Sequence, residues 1–259
     1  MATKRKTYRF RHGDIVDVEE FHDGRYGGPG KKRDKKAKPT VEQMREVNAQ
    51  NKARRCRQRM LEYFSPGDCF ATWTYEIQNR PPNMGEALKE FQKAMRYVRK
   101  EYKKRGRELF WIRNIERGTK GAWHIHLIVN EIGDTASILQ RAWKKGGTWS
   151  IEIRISKYYD EDFSRLSNYM TKDEYKKADG TPGKPRLKEA NYNTSRNMPL
   201  PKPDVDILFR WKVDPKPKKG YYIARIHEGI NPATGFKYRR YTMIRLNRRD
   251  KSCLRYTHT

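Results

Sequence analysis

The chain has 259 residues, with 59 Lys and Arg against 31 Asp and Glu and a formal net charge of +28. Such an excess points to a polyanionic partner, because each neutralised phosphate releases condensed counterions. Cys56, Cys69 and Cys253 are too few and too far apart for a disulfide framework or zinc-finger spacing. With no apolar signal core at the start and no run near the ~20 apolar residues of a membrane span, a soluble, intracellular protein with no membrane partner is expected.

The charge is uneven. Residues 1 to 59 carry 18 basic and 8 acidic side chains, residues 60 to 199 carry 26 and 18, and residues 200 to 259 carry 15 and 5. Both flanks therefore read as electrostatic grips around a more neutral body. The expected division is a basic flexible arm over 1–39, a globular domain over 40–200 and a basic extension over 201–259. The arm combines Gly24, Gly27, Gly28, Pro29 and Gly30 with Lys31-Lys32-Arg33-Asp34-Lys35-Lys36, too polar to bury much surface.

A helix is predicted from Thr40, whose hydroxyl forms a capping-box pair with Gln43, through Met44, Val47, Met60, Leu61 and Phe64 to the stop at Pro66-Gly67. Its Arg54 and Arg55 are candidate DNA contacts or a solvated face. Phe70-Ala71-Thr72-Trp73-Thr74-Tyr75 reads as a strand. Leu88, Phe91, Met95, Val98 and Tyr102 recur at helical spacing, with Lys93, Arg96, Arg99, Lys100 and Lys103 on the outer face.

Next come two strand-like runs, Phe110 to Glu116 and Trp123 to Val129, joined by Gly118-Thr119-Lys120-Gly121 as an antiparallel hairpin. Side chains alternate along a strand, so His124 and His126 project together. If Gly118 pairs with Ala122, Glu116 falls opposite His124 on that face. Two imidazoles and a carboxylate would offer a divalent cation three ligands and leave positions open for substrate oxygens. The bland alternative for Glu116 is an ion pair with Lys120 or Arg117.

A helix from an Asp134 N-cap to a Gly146 stop and a strand over Trp149, Ile151, Ile153 and Ile155 follow. Another helix, starting near Asp160 or Asp162, turns Phe163, Leu166 and Met170 inward and sets Tyr169 and Lys172 on the adjoining face. Phenols ionise near pH ~10, so an attacking tyrosine needs a cation beside it or a polarised phosphate. Tyr158, Tyr159 and Tyr175 are rival nucleophiles. Residues 179 to 218 read as an extended loop. Tyr221 to Ile226 and Phe236 to Ile244 form a second, basic hairpin in which Arg239 and Arg240 are candidate DNA contacts. Trp73, Trp111 and Trp123 either stack on bases or fill the core.

Gly121-Ala122-Trp123-His124-Ile125-His126-Leu127-Ile128-Val129 resembles the histidine-hydrophobe-histidine motif of the HUH endonucleases, and Asn168-Tyr169-Met170-Thr171-Lys172 resembles their Tyr-x-x-Lys motif. Phe70 to Tyr75 resembles the first motif of that superfamily, in the right order. Asn51 to Tyr75, Glu116 to Val129, Tyr169 to Glu174 and Asn193-Thr194-Ser195-Arg196-Asn197-Met198 with Pro199 are similar to replication initiators of bacterial plasmids and related mobile elements. The resemblance implies an α+β fold of ferredoxin-like (RRM-like) architecture: a five-stranded antiparallel sheet, the histidines on a central strand and the tyrosine on a nearby helix.

It also implies a bacterial cytoplasmic rolling-circle initiator. Tyr169 would join the 5′ phosphate of single-stranded or hairpin origin DNA, with Mn²⁺ or Mg²⁺ on the phosphate, and a host helicase and DNA polymerase would continue the process. Tyr175, six residues after Tyr169, is off that helix face, so a single nucleophile is expected. Arg196 clamps a phosphate or caps its loop. A relaxase or single-tyrosine transposase shares the chemistry; a non-enzymatic DNA- or RNA-binding protein would need neither metal nor a covalent step.

Overall fold

The computed structural model describes residues 3–22, 38–153, 162–171, 187–209, 211–231 and 236–246. Lys172, Tyr158, Tyr159, Tyr175 and Cys253 lie outside them. The chain divides into two compact units, Asn51–Pro199 and a second built from Met1–Gln50 with Leu200–Thr259. The fold is α+β, with an antiparallel five-stranded sheet in each unit.

In chain order the elements are β1 (Thr3–Phe10), β2 (Ile15–His22), α1 (Val41–Tyr63), β3 (Cys69–Thr74), α2 (Met84–Lys104), β4 (Trp111–Gly118), β5 (Trp123–Val129), α3 (Thr135–Ala142), β6 (Thr148–Glu152), α4 (Ser164–Thr171), β7 (Leu187–Thr194), β8 (Asp204–Leu208), β9 (Tyr221–Ile230) and β10 (Lys237–Arg245). The capping box forms as the sequence predicts: Thr40 N–H donates to Gln43 Oε1 at 2.9 Å, and Gln43 N–H to Thr40 Oγ1 at 3.2 Å.

The sheet of Asn51–Pro199 has the order β6-β3-β5-β4-β7, which puts the two-histidine strand β5 in the middle. On one face Ala71, Trp73, Ile115, Ile125, Leu127 and Val129 meet Phe91, Ala94, Met95 and Val98 of α2 and Ile138 and Leu139 of α3, all buried in one apolar cluster. Burial of this stripe, about 1.5–3 kcal/mol per large aliphatic side chain, holds the helices on that side and leaves the other face of the sheet to present polar groups. That other face carries the histidines.

Three local expectations are corrected. Asp134 occupies the N-cap position of α3 but makes no side-chain cap bond; its carboxylate binds Arg105 Nη2 at 2.6 Å, and Glu131 Oε1 instead accepts the N–H groups of Gly133 (2.7 Å) and Thr135 (3.1 Å). The helix stops at Ala142, before Gly146. Gly146 serves β3 instead, since a Cβ there would lie 2.3 Å from Thr74 O. The stretch 179–218, read as a loop, contains β7 and β8; β7 pairs with β4 along its length, and β8 with β1. These short polar strands, LKEANYNT and DVDIL, are edge strands, so most of their order comes from ladder hydrogen bonds that leave no strong pattern in the sequence.

The larger correction concerns the arm. Residues 3–22 are not a loose chain: β1 and β2 pair from Thr3↔His22 to Phe10↔Ile15 and lie inside a sheet of order β8-β1-β2-β10-β9. The flanks expected as separate extensions thus build one sheet, with Val16, Val18, Tyr221, Tyr241 and Met243 as its core cluster. The polarity that suggested an arm is satisfied across strands. Glu20 accepts from Arg5 Nε at 2.8 Å and from Arg239 Nη2 at 2.5 Å, and Asp17 accepts from Thr242 Oγ1 at 2.8 Å. The hairpin expected near the C-terminus forms as β9 and β10.

Candidate active site

The β4–β5 register is the one the turn residues require. Gly118 N–H donates to Ala122 O at 2.8 Å, and Glu116 lies directly across from His124. Residues opposite one another in an antiparallel ladder share a face. Trp149, Thr72, His126, Asn114 and Tyr192 therefore form one row across all five strands, and Thr74, His124, Glu116 and Ala190 the next.

His126 is the hub. It is 6 % exposed. Thr72 Oγ1 meets Nδ1 at 3.0 Å, and Glu116 Oε1 meets Nε2 at 3.1 Å. The carboxylate reaches diagonally to His126, not straight across to His124. The His124 ring runs parallel to that of His126, centroids 6.1 Å apart and planes 6° apart, as expected for i and i+2 on a strand. Phe70 continues the parallel series at 6.2 Å from His126.

Tyr169 stands over this row from α4. Its hydroxyl is 3.2 Å from Nε2 and 3.4 Å from Nδ1 of His126, and the two rings meet edge to face at 5.1 Å. The phenol thus rests against the side of the imidazole that carries both nitrogens. The tyrosine is 37 % exposed, so its oxygen is reachable from solvent. Two features fix the helix that carries it. Leu166 and Met170 are buried, and Asp162 accepts from Ser164 N–H at 3.1 Å and from Ser164 Oγ at 2.7 Å. Asp162 is itself held by Arg57 of α1, with Nη2 at 3.0 Å and both side chains buried. Phe163, between Asp162 and Ser164, adopts a positive φ of 56° to aim the first turn.

The structure brings Glu116, His124, His126 and Tyr169 together. Arg55 and Arg196 are exposed in the same unit, and Arg54 is half-buried. Arg240 is half-buried, its guanidinium 5.2 Å over the Tyr238 ring. Arg239 is not placed to touch DNA. It is 1 % exposed, bonds Glu20 and the carbonyls of Val213 (2.7 Å) and Lys212 (2.9 Å), and lies 4.8 Å over Trp211. Its charge is matched inside the sheet. Thr72, Phe70, Arg57 and Asp162 are the site's supporting residues that sequence reasoning passed over; only strand alternation through Thr72 carried a signal. Burial pushes the thiols of Cys56 and Cys69 up to about 12, which removes both as nucleophiles near neutral pH.

In kind, two imidazoles and a carboxylate suit a divalent cation. Among the described residues, however, no three His, Cys, Asp or Glu side chains are gathered into a ready cage, and the Nε2 that would ligate is engaged by Glu116 and Tyr169.

Residues 68–174 match a family described as replication-associated protein ORF2, a span that runs from just before β3 to past Tyr169. The sheet's histidine face and α4 lie within it, so the likeness to replication-associated proteins rests on the site itself. No curated protein and no solved structure matches the chain. No helix among the described residues is long and apolar enough to cross a membrane.

Proposed function

We propose that the protein initiates rolling-circle replication by cutting and rejoining one strand of origin DNA through Tyr169. The observation that carries this reading is the Tyr169 hydroxyl, 3.2 Å from His126 Nε2 with Glu116 3.1 Å from the same nitrogen. A nucleophile, an imidazole and a carboxylate meet on one accessible face inside the segment that matches a replication-associated family.

The chemistry is a transesterification. The phenolic oxygen attacks phosphorus in line, the P–O3′ bond breaks, and a 5′-phosphotyrosine and a free 3′ hydroxyl result while the phenolic proton is lost to water. The new ester conserves the energy of the old bond, so the 3′ hydroxyl can reverse the step without a nucleotide. His124, His126 and Glu116 would hold Mn²⁺ or Mg²⁺, which when bound supplies a Lewis acid for the non-bridging phosphate oxygens. Lys172, one residue past the end of α4, is proposed as the cation that favours the attacking phenolate. Arg54, Arg55 and Arg196 are proposed to grip the strand. A host helicase and polymerase would then act on the nicked product.

The test incubates the protein with single-stranded DNA from an origin library and Mn²⁺ or Mg²⁺, then looks for an adduct that survives denaturation. Wild type forms one, Tyr169→Phe forms none, and His124→Ala and His126→Ala form far less. An adduct that persists in Tyr169→Phe moves the nucleophile elsewhere. No wild-type adduct with any DNA reduces the protein to a non-enzymatic binder.

A further inference from the structure

The six tryptophans divide sharply. Trp73 and Trp123 are buried on the α2 side of the sheet, Trp143 stacks on Trp73 at 4.8 Å, Trp111 meets Phe91 edge to face, and Trp211 lies under Arg239. Trp149 alone is more than half exposed, at 54 %. It is also the one on the histidine face: it sits across from Thr72, which sits across from His126. Its ring stands perpendicular to Phe70 at 6.3 Å, and Phe70 lies 6.2 Å from His126 and 6.1 Å from Tyr169. Two ring spacings separate the exposed indole from the site.

Its backbone is well fixed. β6 is a terminal strand that pairs with β3, and Thr74 N–H donates to Gly147 O at 2.9 Å just before it. A large planar side chain on a rigid sheet edge, open to solvent and in line with a nucleophile, suits a flat aromatic ligand better than a phosphate. In a chain of net charge +28 that ligand is a nucleobase.

We propose that Trp149 is a base-stacking platform for single-stranded DNA, holding an unpaired base close to the phosphate that Tyr169 attacks. The placement relative to the phosphate rests on the function proposed above; the stacking itself does not. An exposed indole offers every base a π-face, so the contact is sequence-tolerant and adds affinity without charge. It separates unpaired from paired DNA, since bases inside a duplex are already stacked.

The test measures binding of a short dye-labelled oligothymidine in EDTA at several salt concentrations, with no cation and no cleavage. Trp149→Ala should weaken binding by about tenfold, with the slope of log affinity against log salt unchanged. Trp149→Phe should keep most of the affinity, and DNA-induced quenching of tryptophan emission should fall in that variant. Unchanged melting temperatures for both variants separate loss of contact from loss of fold. The proposal is overturned if Trp149→Ala binds within twofold of wild type, or if its loss appears only as a smaller salt slope. An adduct formed normally alongside unchanged binding sinks the platform and spares the nuclease; tenfold weaker binding with no wild-type adduct does the reverse.

Discussion

Thr72→Val is the sharpest probe of how the site is held. Valine keeps the β-branched shape that suits β3 and removes only the hydroxyl that meets His126 Nδ1 at 3.0 Å. Two losses follow. A net intramolecular hydrogen bond contributes about 0.5–1.5 kcal/mol, and a buried ring nitrogen left without its partner adds to the cost, so a melting-temperature fall of a few degrees is expected. The functional loss is larger. When Nδ1 carries the proton and donates to Thr72 Oγ1, Nε2 is left with the lone pair that faces Glu116; without the threonine both tautomers are populated and the ring can turn. Removing such a support for a ligating histidine typically costs about 10–100-fold in metal affinity or activity. The assay is the Mn²⁺ concentration that gives half-maximal adduct with origin DNA, measured well below the melting temperature. Thr72→Val should raise it by at least ~10-fold and Thr72→Ser should restore it. A Thr72→Val midpoint within twofold of wild type would show that Thr72 does not set the imidazole, and the reasoning would fail.

Gly146→Ala should be markedly more destabilising than Gly121→Ala in urea titrations, although Gly121 has the left-handed φ of 79°. The first puts a Cβ 2.3 Å from Thr74 O and 2.8 Å from Glu76 N, both backbone, at a cost of about 3 kcal/mol or more, whereas the second meets nothing within 4 Å and costs about 1–2 kcal/mol of backbone strain. Equal effects would mean that the end of β3 yields freely. Arg239→Met should lower thermal stability strongly, by about 3–5 kcal/mol, because Glu20 then loses one of its two guanidinium partners inside the sheet. If instead Arg239→Met weakens DNA binding with no thermal shift, the residue is a DNA contact after all.

Much of the site could be read from residues that lie close together in sequence. The hairpin turn at Gly118–Gly121 sets the register, and strand alternation then puts Glu116, His124 and His126 on one face with no help from the rest of the chain. Apolar spacing likewise located α2, and Thr40 with Gln43 located the start of α1. What the same rules missed were partners far apart along the chain. Arg5, Glu20 and Arg239 look like solvated charges one by one, and trimming residues 1–39 looked like a clean test of DNA binding. The removal would in fact take two strands out of a sheet.

Local sequence therefore determined which side chains share a face, because pleat and helix periods follow from backbone geometry alone. Tertiary structure decided which face is used and how it is held: the carboxylate of Glu116 reaching diagonally to His126, α4 pinned by Arg57 and Asp162 so that Tyr169 overhangs the ring, Arg239 withdrawn into a core and Trp149 left in solvent. Each of these depends on contacts between segments tens to hundreds of residues apart, and no periodicity records such a contact. They are fixed only when burial makes an unmatched charge or hydroxyl costly enough to select one arrangement.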